Sequence, residues 1–282
     1  MSLVDTILQS VTQLPPFPAV LQRILQLLKD PKTSAQDIVE VLQYDQAITA
    51  NVLMVCNSAY FGLRRPVSSI RDAVVRIGFN QLLEIILGRG SAYLFHRAYQ
   101  GYDLEAGELW RHSVACALLS QDLAARSNKE ENPLQFTTAL LHDIGKVILS
   151  EFVKDHFQEI KELVREGNLS FNEAEKRVLG IDHAELGAKI CEQWKFPPDI
   201  TEGIHYHHTP LSAPAGSDLP SLLYLCDLIA LMTGIGGGAD GLSYHADQGI
   251  VKQYGLKEKD LEQIINHLQD RMYEVEALLN MK

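Results

Sequence analysis

Cysteine is scarce in this chain of 282 residues: four, at Cys56, Cys116, Cys191 and Cys226, none in a C-x-x-C pair and all in apolar surroundings. That excludes a disulfide scaffold and the closely spaced thiolates of a zinc ribbon, and it reads as buried reduced thiols in a cytoplasmic protein. Long apolar runs are missing too. Nothing approaches the ~18 uninterrupted apolar residues of a membrane span, and the opening "MSLVDTILQS" lacks the basic start and small-residue cleavage site of a signal peptide. No membrane partner is expected. Positive charge is short, with 25 Lys and Arg against 36 Asp and Glu, net −11. Such a surface repels phosphate backbones, so extended nucleic acid is excluded as a partner. A local basic groove at Arg64, Arg65, Arg71 and Arg76 stays open, beside the plainer reading of a solvated helix face. Strand signals are absent: no period-two run with hairpin turns occurs.

What is present is helical periodicity, and the fold class is all-α. In "FPAVLQRILQLLKD", Val20, Leu21, Ile24, Leu27 and Leu28 share a face. "TSAQDIVEVLQYD" opens on a Thr33/Ser34 cap with Asp37 in its first turn. "DQAITANVLMVCNSAYFG" reads as a more buried helix closed by Gly62, and "SSIRDAVVRIGF" and "NQLLEIILGRGSAYLF" are split at Gly78. The break "HRAYQGYDLEAG" divides the chain into an N-terminal helical subdomain, residues 1–103, and a second helical domain, residues 104–282. The second begins with "ELWRHSVACALLSQDLAARSN". Pro133 precedes a helix expected to carry His142 and Asp143, and "PDITEGIHYHH" is a helix expected to run until Pro210. "GIGGGADG" lacks the Lys-Ser/Thr of a phosphate-binding loop and follows no strand, so it reads as a flexible loop.

The ten histidines are not scattered. His112 lies four residues after Glu108 on an amphipathic helix, so the two share a face. "LLHDIGKVIL" sets His142, Asp143 and Lys146 inside an apolar run, where unpartnered polar groups cost about 1–3 kcal/mol each. His183 opens "DHAELG", His205, His207 and His208 crowd "HYHHTP", and Asp227 interrupts "LLYLCDLIALM". Imidazoles with carboxylates suit Zn, Fe, Mn or Ni, and thiolates are left out of the set. A carboxylate bridging two ions ~3.5–4 Å apart is the usual arrangement for attack on phosphate, and Lys146 is placed to neutralise a phosphate or leaving oxygen. Taken singly, each residue also has a plain reading: His112 as a packed core histidine, Asp227 as a hydrogen-bonding group, Glu108 as a solvated first-turn acid.

The pattern His112, His142-Asp143 with Lys146, then Asp227 resembles the HD superfamily of metal-dependent phosphohydrolases. "LPPFPAVLQRILQLLKDP", "VLQYDQAITANVLMVCNSAYFG" and "VSSIRDAVVRIGF" resemble its HDOD branch, over roughly Leu14 to Ala230. The resemblance implies an HD-type helical bundle. Many HDOD members act in bacterial signalling without catalysis. At each metal position the chain is also similar to the HD-GYP cyclic di-GMP phosphodiesterases. That likeness implies Glu108, His112, His142, Asp143, His183, His207, His208 and Asp227 as ligands of two or three ions. Asp143 and Lys146 would be catalytic. The GYP motif itself is absent, because His207-His208 runs into "TPLSA". Three functions remain open: a two-metal hydrolase of a phosphate-containing small molecule such as a cyclic dinucleotide, a signalling module that docks a partner protein through Tyr60, Phe61, Arg64 and Arg65 around a structural or sensory metal, and a degenerate domain with packed histidines.

Overall fold

Helical periodicity becomes helix almost throughout. A computed structural model describes the chain apart from residues 1, 15–16, 31, 43–45, 59–60, 64, 96, 127–133, 168, 216, 237, 240–246 and 280–282. The described residues form fifteen α-helices: α1 (Leu3–Val11), α2 (Ala19–Leu27), α3 (Ala35–Leu42), α4 (Gln46–Cys56), α5 (Ile70–Ile77), α6 (Phe79–Phe95), α7 (Glu108–Arg126), α8 (Gln135–Leu141), α9 (Lys146–Gly167), α10 (Phe171–Leu179), α11 (His183–Gln193), α12 (Pro198–His205), α13 (Leu219–Met232), α14 (Gln248–Gln253) and α15 (Glu258–Leu279). Among them there is no β-strand, only an isolated bridge between Tyr99 and Leu104. No helix there is long and apolar enough to cross a membrane. Tyr60 and Arg64 of the expected docking patch, and Pro133, lie outside the described residues.

Side-chain caps set many of the boundaries. Ser2 and Ser170 close capping boxes with Asp5 and Glu173 ahead of α1 and α10. Ser69 accepts the Asp72 N–H at the start of α5, and Asp182 accepts the Glu185 N–H at the start of α11. Ser34 and Asp37 bond reciprocally at the start of α3.

The chain makes two compact units, one of Met1–Pro15 with Leu94–Leu268 and one of Pro16–Tyr93 with Gln269–Lys282. In the latter, α2 packs on α3, and both α3 and α4 pack on α5. Leu21, Ile24, Leu25, Ile38 and Leu42 are buried there. In the former, α7 packs against α8 and α13, α11 against α12, and α9 against α10 and a short 3-10 turn, Gln100–Tyr102. Every residue of α7 from His112 to Ser120 is buried, so it is the central element of this unit. Each fully buried Leu or Ile of α13, such as Leu223 and Ile229, contributes about 1.5–3 kcal/mol.

Two helices stop earlier than their apolar pattern. α8 ends at Leu141, and His142 and Asp143 lie in the turn before α9 rather than within a helix. α12 ends at His205, so His207 and His208 also sit in a turn, ahead of Pro210. Both ends carry the same side-chain bond. His142 Nδ1 reaches back to the Ala139 carbonyl at 2.7 Å, and His207 Nδ1 to the Ile204 carbonyl at 2.6 Å. Each ring thus satisfies a carbonyl in the last turn of its helix. After His142 the chain tightens through i to i+3 bonds, Ile144 N–H to Leu141 and Lys146 N–H to Asp143.

Candidate metal centre

Five stretches distant in sequence bring their polar side chains together. α7 supplies His112. The turn between α8 and α9 supplies His142 and Asp143, and Lys146 opens α9. His183 is the first residue of α11, His207 and His208 follow α12, and Asp227 projects from α13. The turn after α8 can meet α11 only because residue 145 is glycine. A Cβ there would overlap the His183 carbonyl oxygen.

Asp143 is the centre of the group. Its Oδ2 lies 2.7 Å from Lys146 Nζ, 3.5 Å from His142 Nε2 and 3.6 Å from His112 Nε2. Its Oδ1 faces His183 Nε2 at 3.5 Å and His207 Nε2 at 3.9 Å. One donor atom from each of His112, Cys116, His142 and Asp227 lies within 4.8 Å of the others, and so do the donors of His183, His207 and His208. Asp143 thus has one oxygen toward each group. His112 Nε2 is 3.1 Å from Asp227 Oδ1, and His208 Nδ1 is 3.9 Å from Asp227 Oδ2.

The rings are held in one orientation. A backbone carbonyl can only accept, so the bonds from His142 to Ala139, His207 to Ile204 and His112 to Ile235 (3.0 Å) each fix a proton on Nδ1. His183 Nδ1 lies 2.7 Å from the Glu175 carboxylate. In all four, Nε2 is left pointing into the shared space. The Gly-rich loop takes part in this. Gly236, at φ +68°, packs so closely on His112 that a Cβ would overlap the ring's own Cβ. The loop read from sequence as merely flexible therefore anchors a candidate ligand.

Three buried atoms here, His142 Nε2, His207 Nε2 and Asp143 Oδ1, have no hydrogen-bond partner. Orphaned polar atoms of this kind cost about 1–3 kcal/mol each, and all three are donors a divalent transition-metal ion would satisfy. The residues present fit such an ion.

Burial, and then the neighbouring His142 and His183, push the His207 pKa down to about 3, and burial lowers His142. Both are neutral, as ligands must be. Burial also opposes charge on His183, but the Glu175 carboxylate outweighs it and raises the group to about 9. In the metal-free chain its Nε2–H then donates to His208 Nε2, 2.7 Å away. Burial alone would raise Asp143 and Asp227. For Asp143 the surrounding side chains, the Lys146 ammonium among them, win, and for Asp227 the bond from His112, so both lie well below the usual carboxylate range.

Glu108 is not brought into the described cluster. It is half-buried, and its carboxylate accepts the Glu105 N–H at 2.7 Å. His205 stacks on Tyr206, and His156 and His267 pair with Glu159 and Asp122 away from the cluster. His96 and His245 lie outside the described residues. Two residues of the site escaped the sequence reading. Cys116 stands 3.7 Å from His112 Nε2, in a set from which thiolates had been left out. Its spacing of four from His112 was the available signal. Glu175 carried none, being one of several acids on an amphipathic helix.

The chain resembles, over nearly its full length, the crystal structure of an HDOD domain protein of unknown function from Geobacter sulfurreducens, with 27% identity, 99% and 98% of the two chains covered and a TM-score of 0.72. It also resembles a protein from Shewanella amazonensis SB2B described as a candidate phosphohydrolase, at 27% identity, 97% coverage of each and a TM-score of 0.68. A curated relative, an uncharacterized protein of Treponema pallidum (strain Nichols), is 25% identical over 213 residues, which are 75% of this chain but 41% of that protein's length. Residues 14–210 match the HDOD domain family, and with most of its length inside that match, the chain belongs to this family.

Proposed function

We propose that the chain is a bacterial signalling protein whose His/Asp cluster holds two divalent transition-metal ions, Fe or Mn first and Ni or Zn next, and hydrolyses a phosphoester of a nucleotide or cyclic dinucleotide. The observation that carries it is the set of orphaned buried donors, His142 Nε2, His207 Nε2 and Asp143 Oδ1, facing one another. His112, His142 and Asp227 would hold one ion, His183, His207 and His208 the other, and Asp143 would serve both. When bound, such ions lower the pKa of a water toward ~7 and polarise a phosphoryl oxygen. Lys146, 2.7 Å from Asp143, would neutralise the phosphate or the leaving oxygen. The four buried thiols fit a cytoplasmic setting.

A second reading has its own support. His112, His142, Asp143, Lys146, His183 and His207 are each 3% exposed or less. A site so enclosed suits a structural or sensory metal in a non-catalytic module that binds a signalling protein. One series of measurements separates the readings. The chain, produced without a chelating tag, is analysed for metal and then assayed with Mn or Fe on a generic bis-phosphoester. Hydrolysis requires two ions per chain and turnover that falls to background in His142→Ala and Asp143→Ala. Bound metal without turnover favours the second reading. Turnover that survives both substitutions rules out this centre as the catalyst, and absence of metal leaves only packed histidines.

A further inference from the structure

We propose that Cys116 is a thiolate ligand, completing with His112, His142 and Asp227 a mixed nitrogen, sulfur and oxygen site that selects Zn or Fe over Mn. The proposal rests on the reading that the cluster binds metal, and goes beyond it in naming a ligand and in setting Zn or Fe ahead of Mn at this one of the two ions.

His112 and Cys116 are one turn apart on α7, so their side chains lie one above the other on one face. Cys116 is buried, and its Sγ is 3.7 Å from His112 Nε2. With zinc–sulfur bonds of about 2.3 Å and zinc–nitrogen bonds of about 2.0–2.1 Å, tetrahedral ligands stand about 3.6 Å apart. The observed separation, a thiol–imidazole hydrogen bond in the metal-free chain, also suits two ligands on one ion. The Ile235 carbonyl fixes a proton on Nδ1 of His112, which leaves Nε2 as the ring atom that faces both the sulfur and Asp227.

A buried cysteine alone would mean little. The independent observation is His142 Nε2, fully buried and without a hydrogen-bond partner, which belongs to the same set of donors within 4.8 Å. Among the described residues the other three cysteines, also buried, fall in no such set. A thiolate with two imidazoles and the carboxylates of Asp227 and Asp143 is a borderline-soft environment. Zn and Fe accept it, whereas Mn prefers oxygen. Coordination releases the thiol proton to solvent.

The test uses the full chain without a chelating tag, stripped of metal and titrated with Co2+ alone. The expected result is a sulfur-to-cobalt charge-transfer band in the near ultraviolet alongside the visible ligand-field bands. Cys116→Ser should keep the ligand-field bands, lose the charge-transfer band and bind Zn2+ at least about tenfold more weakly, with little change for Mn2+. Cys226→Ser should keep both sets of bands. X-ray absorption on the Zn-loaded wild-type chain needs no variant to fold, and should show one sulfur at about 2.3 Å. Ligand-field bands without charge transfer, or only nitrogen and oxygen scatterers, would overturn the thiolate assignment and leave the metal cluster standing. A charge-transfer band that persists in Cys116→Ser would overturn it as well. Failure to bind Co2+ at all would overturn both.

Discussion

Nδ1 of His183 lies 2.7 Å from Oε2 of Glu175, and both side chains are buried. The same carboxylate accepts the His183 N–H at 3.0 Å and the Tyr102 hydroxyl at 2.5 Å. Glu175 thus sets both the tautomer and the tilt of a candidate ligand. Glu175→Ala should cost about 3–5 kcal/mol, because it leaves a buried cation unpaired and removes an acceptor of the Tyr102 hydroxyl. It should also weaken metal binding about 10–100-fold. Glu175→Gln, which keeps the volume and an acceptor, should cost less on both counts. Urea melts of the chelated protein and metal titrations of each variant check this.

Gly236 and Gly234 make a matched pair. Both have positive φ, +68° and +76°, but a Cβ at Gly236 would overlap His112 whereas one at Gly234 meets nothing within 4 Å. Gly234→Ala should cost only the left-handed backbone penalty, about 1–2 kcal/mol, and leave metal binding alone. Gly236→Ala should cost that and also displace His112, lowering metal stoichiometry. Equal metal content in the two variants would show that the loop does not position the ring.

Lys146 and Asp143 form a buried ion pair, 2.7 Å apart. Lys146→Met strips the carboxylate of its nearest cation when no metal is bound, and should destabilise the chelated protein by about 3–5 kcal/mol. In the metal-loaded protein the loss should be clearly smaller, because the ions also neutralise Asp143. Unfolding free energies with chelator and with saturating Zn2+ give the two values. The same loss in both states would argue against metal at Asp143.

The metal-free protein should be most stable near pH 6.5, the ordinary value for histidine. His207, held at about 3, and His142, also lowered, stay neutral in the folded chain while the unfolded chain takes up protons below 6.5. Stability therefore falls as pH drops from 6.5 toward 3. His183, raised to about 9, acts oppositely, and the stability it adds is lost as pH rises from 6.5 toward 9. Thermal midpoints in chelator between pH 5 and 9 should trace a dome, and a flat profile would show that these rings are not buried as described.

Much of this protein was legible along the chain. Amphipathic spacing located α2, α3, α5, α7 and α15, and Ser34, Ser69 and Asp182 stand where their helices begin. The family resemblance followed from the same stretches. The ends of α8 and α12, at Leu141 and His205, were less legible: the sequence pattern runs each helix on through the histidines that follow, whose rings bond back to the Ala139 and Ile204 carbonyls.

Local chemistry acts over three or four residues, through caps and one-sided apolar spacing, and that is why the order of residues alone determined an all-α chain with its histidines and aspartates set among apolar residues. Which of those groups meet was decided by the packing of α7, α11, α12 and α13 around one turn. That packing left Glu108 on a neighbouring N–H, drew in Glu175 and Cys116, and aimed the Nε2 atoms of four rings at Asp143. No spacing rule reaches across the 115 positions between His112 and Asp227, and only burial in a common core puts their atoms 3.1 Å apart.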